Sequence, residues 1–370
     1  MFEIAPEVLR WHSINEAGVV ARVVSVNGLS TRWPAQAIAA ADRHGTVGTI
    51  LASVADPQLL PVIANALSQG QARGGGNGRA LGSPAQVVDV IVPDHQAKAA
   101  GLACGGSARV LVQVTTEVPD VAWQVLADRE PICLVTDLSG PELGHTSWFT
   151  LDSLASGHDD HVGAGAARHT EEMVRLFGRG RSTTAVGALI NGSEALVDVL
   201  WPIPRLLVVG EGVIADALRA LARYMEWSVA VSNDREECVH ELSSLTRADA
   251  TVVLSHDLEL AGPALEAALG GGAGYVGALG ARRTQTARAH WLQDNGVVPS
   301  QVARIRGPAG LDLGARTPQE TALSIVAEIL AARAGSNGQP LRDRPGPVHL
   351  NGLQAEPPPQ DDSPLRRPPT

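Results

Sequence analysis

The chain is poor in several things. Its 370 residues hold only three cysteines, Cys104, Cys133 and Cys238. Three thiols so scattered make no disulfide framework and fit a reducing, cytoplasmic setting. Aromatic residues make up 3% of the chain, so Ala, Val, Leu and Gly carry the packing volume. There is no basic stripe with interleaved aromatics, and a net charge of −10 with a pI near 5.6 opposes a nucleic-acid partner. No apolar run approaches the ~18 residues a membrane span needs. The start, Met1-Phe2-Glu3-Ile4-Ala5-Pro6-Glu7, is acidic and lacks a signal-peptide core. Neither a membrane nor a nucleic acid is therefore expected as a partner. His158, Asp159, Asp160, His161 and His169 crowd one polar stretch without the fixed spacing of a metal motif, so no metal site is assigned. A nucleophile elbow is also missing, which removes the hydrolase triad.

What is present begins at Leu206. The apolar run Leu206-Leu207-Val208-Val209 breaks into Gly210-Glu211-Gly212-Val213-Ile214-Ala215, a G-x-G-x-x-A pattern directly after a predicted strand. Ala215 to Met225 reads as a helix, with Leu218, Leu221 and Ala222 on one face. A second strand, Ser228–Val231, ends in Asn233 and Asp234. This is a βαβ unit with a dinucleotide fingerprint. Gly210 permits the tight turn, Gly212 lets a phosphate approach the backbone, and the helix start offers free N–H groups. Glu211, inside the loop, opposes an anionic ligand. The alternative is a Rossmann-type turn that has lost its ligand.

The rest of the chain frames that unit. A hydrophobic fraction of 44% and this length allow two or three packed domains. Val19–Val26, Val87–Val92, Arg109–Val114, Ile132–Thr136 and Ala195–Leu200 read as strands, Pro57–Leu67 as a helix, and the Gly-rich stretch 70–82 as a loop. Pro202 and Pro204 mark a linker, after which the rhythm becomes strand, helix, strand. Thr317-Pro318-Gln319-Glu320 is a strong helix start, with Thr as N-cap, Pro at the first position and Glu at the third. That helix runs to about Arg333. The fold class is α/β: a C-terminal Rossmann-like parallel-sheet domain over 201–335, an N-terminal mixed α+β domain over 1–200, and a Pro-rich tail over 336–370. Leu206–Val209 is expected at the centre of the parallel sheet, flanked by Ser228–Val231 and Ala250–Leu254.

Candidate site residues cluster at the ends of these strands. Ser255-His256-Asp257 closes one, where ligands sit in open α/β sheets. His256 suits phosphate donation or acid–base work, while Asp257 is either a ligand contact or a helix cap. Arg282 and Arg283 follow another strand and Gly280, and guanidinium forks suit phosphate. Asp312, between glycines, can accept from an amidine-like edge or organise its own loop. Cys104 sits in Ala-Cys-Gly-Gly, a turn whose N–H groups can lower a thiol pKa. Cys133 reads as core and Cys238 as incidental.

Four blocks occur in one order: Val209-Gly210-Glu211-Gly212, Ser255-His256-Asp257, Tyr275-Val276-Gly277-Ala278-Leu279-Gly280-Ala281-Arg282-Arg283, and Ile305-Arg306-Gly307-Pro308-Ala309-Gly310-Leu311-Asp312-Leu313-Gly314-Ala315-Arg316-Thr317-Pro318. Together with Gly-Leu-Ala-Cys-Gly-Gly at 101–106 they resemble the XdhC/CoxI family, accessory proteins of molybdenum hydroxylases such as xanthine dehydrogenase. The resemblance covers most of 15–335. It implies an accessory protein without turnover of its own. Such a protein would bind molybdenum cofactor (molybdopterin or its cytidine dinucleotide), assist its sulfuration and deliver it to the apo-hydroxylase. It brings a cysteine desulfurase and a homodimer into the set of expected partners. Gly210, Gly212, Asp234, Asp257, Gly280, Arg282, Arg283 and Asp312 would hold the cofactor, and Cys104 and His256 would carry the chemistry. The alternatives are an NAD(P)-binding oxidoreductase with His256 as acid–base, and a ligand-free factor that docks on the hydroxylase. Ile50-Leu51-Ala52-Ser53-Val54-Ala55 stands where the family has a Ser-Gly-Gly-Cys-Val-Glu-like block. Gly28-Leu29-Ser30-Thr31-Arg32-Trp33-Pro34 replaces a Gly-Ser-Ser-Pro-Arg-like segment. Cys104 is expected to face the cleft formed by Gly212, His256 and Arg282.

Overall fold

The computed structural model describes residues 1–29, 36–73, 85–156, 170–188 and 194–343. The first part of the chain runs α1 (Ala5–Ser13), β1 (Val19–Asn27), β2 (Ala37–Ala41), β3 (Gly45–Thr49), α2 (Asp56–Arg73), β4 (Gln86–Val92), α3 (Asp94–Ala99) and β5 (Gly106–Val114). It continues through α4 (Asp120–Ala127), β6 (Ile132–Asp137), β7 (Thr146–Phe149), α5 (Leu151–Ser156), α6 (Thr170–Phe177), β8 (Thr183–Ala188) and β9 (Glu194–Leu200). These strands form two antiparallel sheets, ordered β3-β2-β1-β5-β4 and β7-β6-β9-β8.

Strand alternation decides how the two sheets meet. On β1, Val19 and Ala21 pack toward α2, while Val20 and Val24 face the second sheet. Arg22 lies on that second face and is buried. It donates to Asp198 (3.0 Å), Thr136 (2.7 Å) and Gln113 (3.0 Å), tying the sheets together through a buried ion pair. The far face of the second sheet, with Cys133, Val135, Phe149 and Val197, packs on Met173 and Phe177 of α6. Cys133 is core as expected, and burial pushes its thiol pKa far up.

The second part runs β10 (Arg205–Val209), α7 (Val213–Tyr224), β11 (Ser228–Ser232), α8 (Arg235–Ser243), β12 (Ala250–Val253) and α9 (Leu258–Gly270). It ends with β13 (Tyr275–Ala278), α10 (Arg282–Asp294), α11 (Pro299–Val302), β14 (Ile305–Arg306) and α12 (Pro318–Arg333). All strands are parallel in the order β11-β10-β12-β13-β14. Runs such as Leu206–Val209 and Ala250–Val253 are buried on both faces, as a helix-covered parallel sheet requires. One face packs on α8, α9 and α10, the other on α7 and α12.

Two expectations need correcting. β10 is flanked by β11 and β12 as read, but β12 is the middle strand. Two later strands add on the β12 side, which moves the centre by one. The helix read as Pro57–Leu67 is longer: α2 runs Asp56–Arg73 and takes in the first residues of the Gly-rich stretch. Most of that stretch, the His-bearing segment 157–169 and the tail beyond 343 lie outside the described residues. Among the described residues no helix is long and apolar enough to cross a membrane.

The two parts meet end to end. Arg129, just before β6, reaches the Asp249 carboxylate (3.4 Å) and the Ile203 carbonyl (2.5 Å). Arg247 pairs with Asp152 at 3.0 Å, and Gly180 lies against the Arg333 carbonyl. Arg205, Arg247 and Asp249 all stand at the amino ends of the parallel strands. The antiparallel sheets therefore sit below that sheet and leave its carboxyl ends open.

Candidate functional site

The site is built where the parallel sheet changes direction. From β10 the chain steps to β11 on one side, then crosses to β12 on the other, so a crevice opens above the carboxyl ends of β10 and β12. Gly210 and Gly212 close β10 with φ of +106° and +112°. A Cβ on Gly210 would stand 3.0 Å from the Ser255 amide nitrogen, so only glycine fits between the two strand ends. A Cβ on Gly212 would meet nothing within 4 Å. Its open side is the approach a ligand phosphate would use.

The helix starts around this crevice differ. α8 is capped by Asp234, whose carboxylate accepts from the Glu237 N–H. α9 is capped by Asp257, which accepts from the Glu259 N–H at 3.0 Å. α12 has the complete Thr317–Glu320 capping box. The helices α7 and α10 have no side-chain cap, their N-cap residues being Gly212 and Ala281. Their first N–H groups are thus left for solvent or an anion.

The remaining candidates fall around the same end. His256, Asp257, Arg282 and Arg283 are exposed there, and Gly280 turns with φ +129°. Ala309 donates to the Ala278 carbonyl at 3.0 Å. That bond brings the loop bearing the exposed Asp312 over the end of β13. The structure thus gathers nine of the ten named residues at one end of the sheet. Two of the nine, Asp234 and Asp257, spend their carboxylates on their own helices.

Cys104 is the tenth, and it is elsewhere. Its thiol donates to the Gly28 carbonyl, beside the start of β5 and the end of β1. The register runs Val20 opposite the Leu200 and Ile132 level, Arg22 opposite Asp198, and Arg109 opposite Glu194. Gly28 is therefore about 26 Å further from the parallel sheet than Val20, at ~3.3 Å per residue. The expectation that Cys104 faces the cleft of Gly212, His256 and Arg282 fails. The antiparallel sheets dock by their other end, on the opposite end of the parallel sheet. In the same antiparallel part the chain makes an unusual turn: Leu51, Ala52 and Ser53 have φ of 51°, 51° and 64°. Leu51 and Ala52 stand where the resemblance puts glycines, and Ser53 where it puts a cysteine.

Sequence reasoning missed Arg288. This side chain is 2% exposed and lies beneath the loops of the site. It donates to the Ser255 carbonyl (2.6 Å), the Leu279 carbonyl (2.8 Å) and Gln285 Oε1 (3.2 Å). The available signal was a charge inside the inward stripe Gln285–Arg288–Leu292 of a polar helix.

A parallel sheet with a glycine turn at its switch point and two uncapped helix starts above it defines a Rossmann-type domain. Residues 206–329 match the model of the XdhC Rossmann domain. The molybdenum cofactor insertion chaperone PaoD of Escherichia coli is 31% identical over 153 residues, 40% of this chain and 46% of that protein. The uncharacterized protein YqeB of Escherichia coli is 27% identical over 207 residues, 50% of this chain and 38% of that protein. The matched stretch thus spans less than half of either curated relative. A crystal structure of a xanthine dehydrogenase from Bacillus halodurans aligns over 92% of this chain and 98% of its own, with 16% identity and a TM-score of 0.41.

Proposed function

We propose that this protein is an accessory factor for a molybdenum hydroxylase. It would hold molybdenum cofactor as cargo by its phosphate end at the carboxyl ends of β10, β12 and β13. The observation that carries the reading is the selective lack of caps on α7 and α10, beside Arg282 and Arg283. Two free helix starts and two guanidinium groups suit a pyrophosphate or phosphate ester. The insertion-chaperone name of PaoD supports the cargo. In this mode the residues bind and orient. The α7 and α10 N–H groups and the arginines take the phosphate, Gly212 gives room for it, and exposed His256 and Asp312 flank the remainder.

The nicotinamide reading is less well supported. Its ribose acid would come from the end of β11, where Asp234 caps α8 instead. A catalytic role for Cys104 on the same ligand has no geometric support within one chain.

The test is mass spectrometry of small molecules released from gently purified protein, compared with the Arg282→Ala/Arg283→Ala double variant. A pterin or nucleotide phosphate is expected from the native protein and not from the variant. Native protein that releases none, and takes none up from a molybdopterin-containing extract, would sink the reading.

A further inference from the structure

Among the described residues Arg288 is a buried cation without an anion. Its three acceptors are the neutral Ser255 and Leu279 carbonyls and the Gln285 amide, and its Nε has no partner. Burial pushes its pKa down, and no carboxylate offsets that. Buried arginines are ordinarily paired. Among the described residues the other arginine buried to the same degree, Arg22, has Asp198. Arg288 sits between the ends of β12 and β13, directly under the loops carrying His256 and Gly280. Gly210 packs on the same Ser255, so the guanidinium also borders the phosphate turn. A fixed positive charge in a low-dielectric wall projects its field into the crevice above it.

We propose that Arg288 is the charge-selecting positioning residue of this site. Its guanidinium pins the Ser255 and Leu279 carbonyls, and its unneutralised charge favours multiply charged phosphate groups, pyrophosphate above all, over neutral or singly charged ligands. This rests on the phosphate-end reading given above. The ligand's charge completes the pair that the protein leaves open. Arg282 and Arg283, being exposed, supply contacts that salt screens. Arg288 supplies a term that salt screens much less.

The experiment is calorimetric titration of the full chain with inorganic pyrophosphate and with inorganic phosphate, each at low and high salt. Wild type is compared with Arg288→Lys and Arg288→Gln. Both variants keep a hydrogen-bond donor and differ in charge. The Lys variant should bind pyrophosphate within about threefold of wild type, and the Gln variant on the order of tenfold more weakly. The preference for pyrophosphate over phosphate should shrink in the Gln variant only, and its loss should persist at high salt. If the Gln variant does not melt cooperatively, Arg288→Met takes its place. Equal losses in the Lys and charge-free variants would make Arg288 a scaffold and overturn the proposal, as would unchanged binding in both. If wild type binds neither anion, the phosphate-end reading falls and Arg288 falls with it.

Discussion

Ala52 spends its backbone in a conformation that costs an L-residue about 1–2 kcal/mol. It does so between Leu51 and Ser53, which share the same sign of φ. The side chain of Ala52 is exposed, so little packing is lost on removing it. Ala52→Gly should therefore stabilise the protein by about 1 kcal/mol, seen as a raised melting temperature, contrary to the usual effect of introducing glycine. An unchanged or lowered melting temperature would mean that the turn is not held left-handed in solution. Gly212 makes the opposite case. Its Cα faces open space at φ +112°, so Gly212→Asp should fold but place a side chain and a negative charge on the phosphate path. Pyrophosphate affinity should fall at least about tenfold in titration calorimetry, and an unaltered affinity would move the site away from this turn.

At the scale of elements, what was legible was what is local. The Gly210–Ala215 turn, the capping box at Thr317 and the strands around them are written in contiguous residues, and each formed as read. Thr317→Ala should cost about 1 kcal/mol by chemical denaturation, since it removes the Thr317 hydroxyl that accepts from the Glu320 N–H at the start of α12. The competing uses of an N-terminal aspartate were not legible. Asp257 follows a strand and precedes a helix, which suits a ligand contact and a cap equally until the Glu259 N–H is seen to take its carboxylate. Asp257→Ala should lower stability by about 1 kcal/mol and leave pyrophosphate binding unchanged or stronger, because a cap and a negative charge are removed together. A clear loss of binding would restore Asp257 as a contact. Arg288 was hidden for a related reason. The stripe Gln285–Arg288–Leu292 hinted at it, but which of the three arginines of α10 points inward is settled only by the sheet that the helix packs against.

The whole molecule turns on Asp249. Its carboxylate takes Arg205 (2.9 Å), the Thr246 N–H (3.0 Å) and, from the other part of the chain, Arg129 (3.4 Å). Burial alone would raise its pKa, but the Arg205 bond, the backbone N–H groups and Arg129 together hold it below the usual carboxylate range. A depressed folded-state pKa contributes stability at pH values above the unfolded value of about 4, and that stability is lost as pH falls through the folded value. Asp249→Asn should thus destabilise by roughly 1–3 kcal/mol at neutral pH, by leaving the half-buried Arg205 and Arg129 without their carboxylate. The deficit should narrow in melts carried below pH 4; a deficit constant with pH would deny the carboxylate's role. Cys104 gives a second measure at this scale, since the other two cysteines are buried. Spin labels at Cys104 and at Val213→Cys should lie roughly 40 Å apart, from strand lengths at ~3.3 Å per residue on either side of the junction. A separation below 20 Å would show that the ends fold together. No pattern of residue types announced this separation, because the register between sheets is set by buried faces far apart in sequence.

The end-to-end junction has one more consequence. With the parallel sheet docked by its amino ends, the turn bearing Cys104 and the crevice at Gly212 face away from each other. A macromolecule seated over one does not shade the other. Two partners, one at each end, would not compete for the same surface.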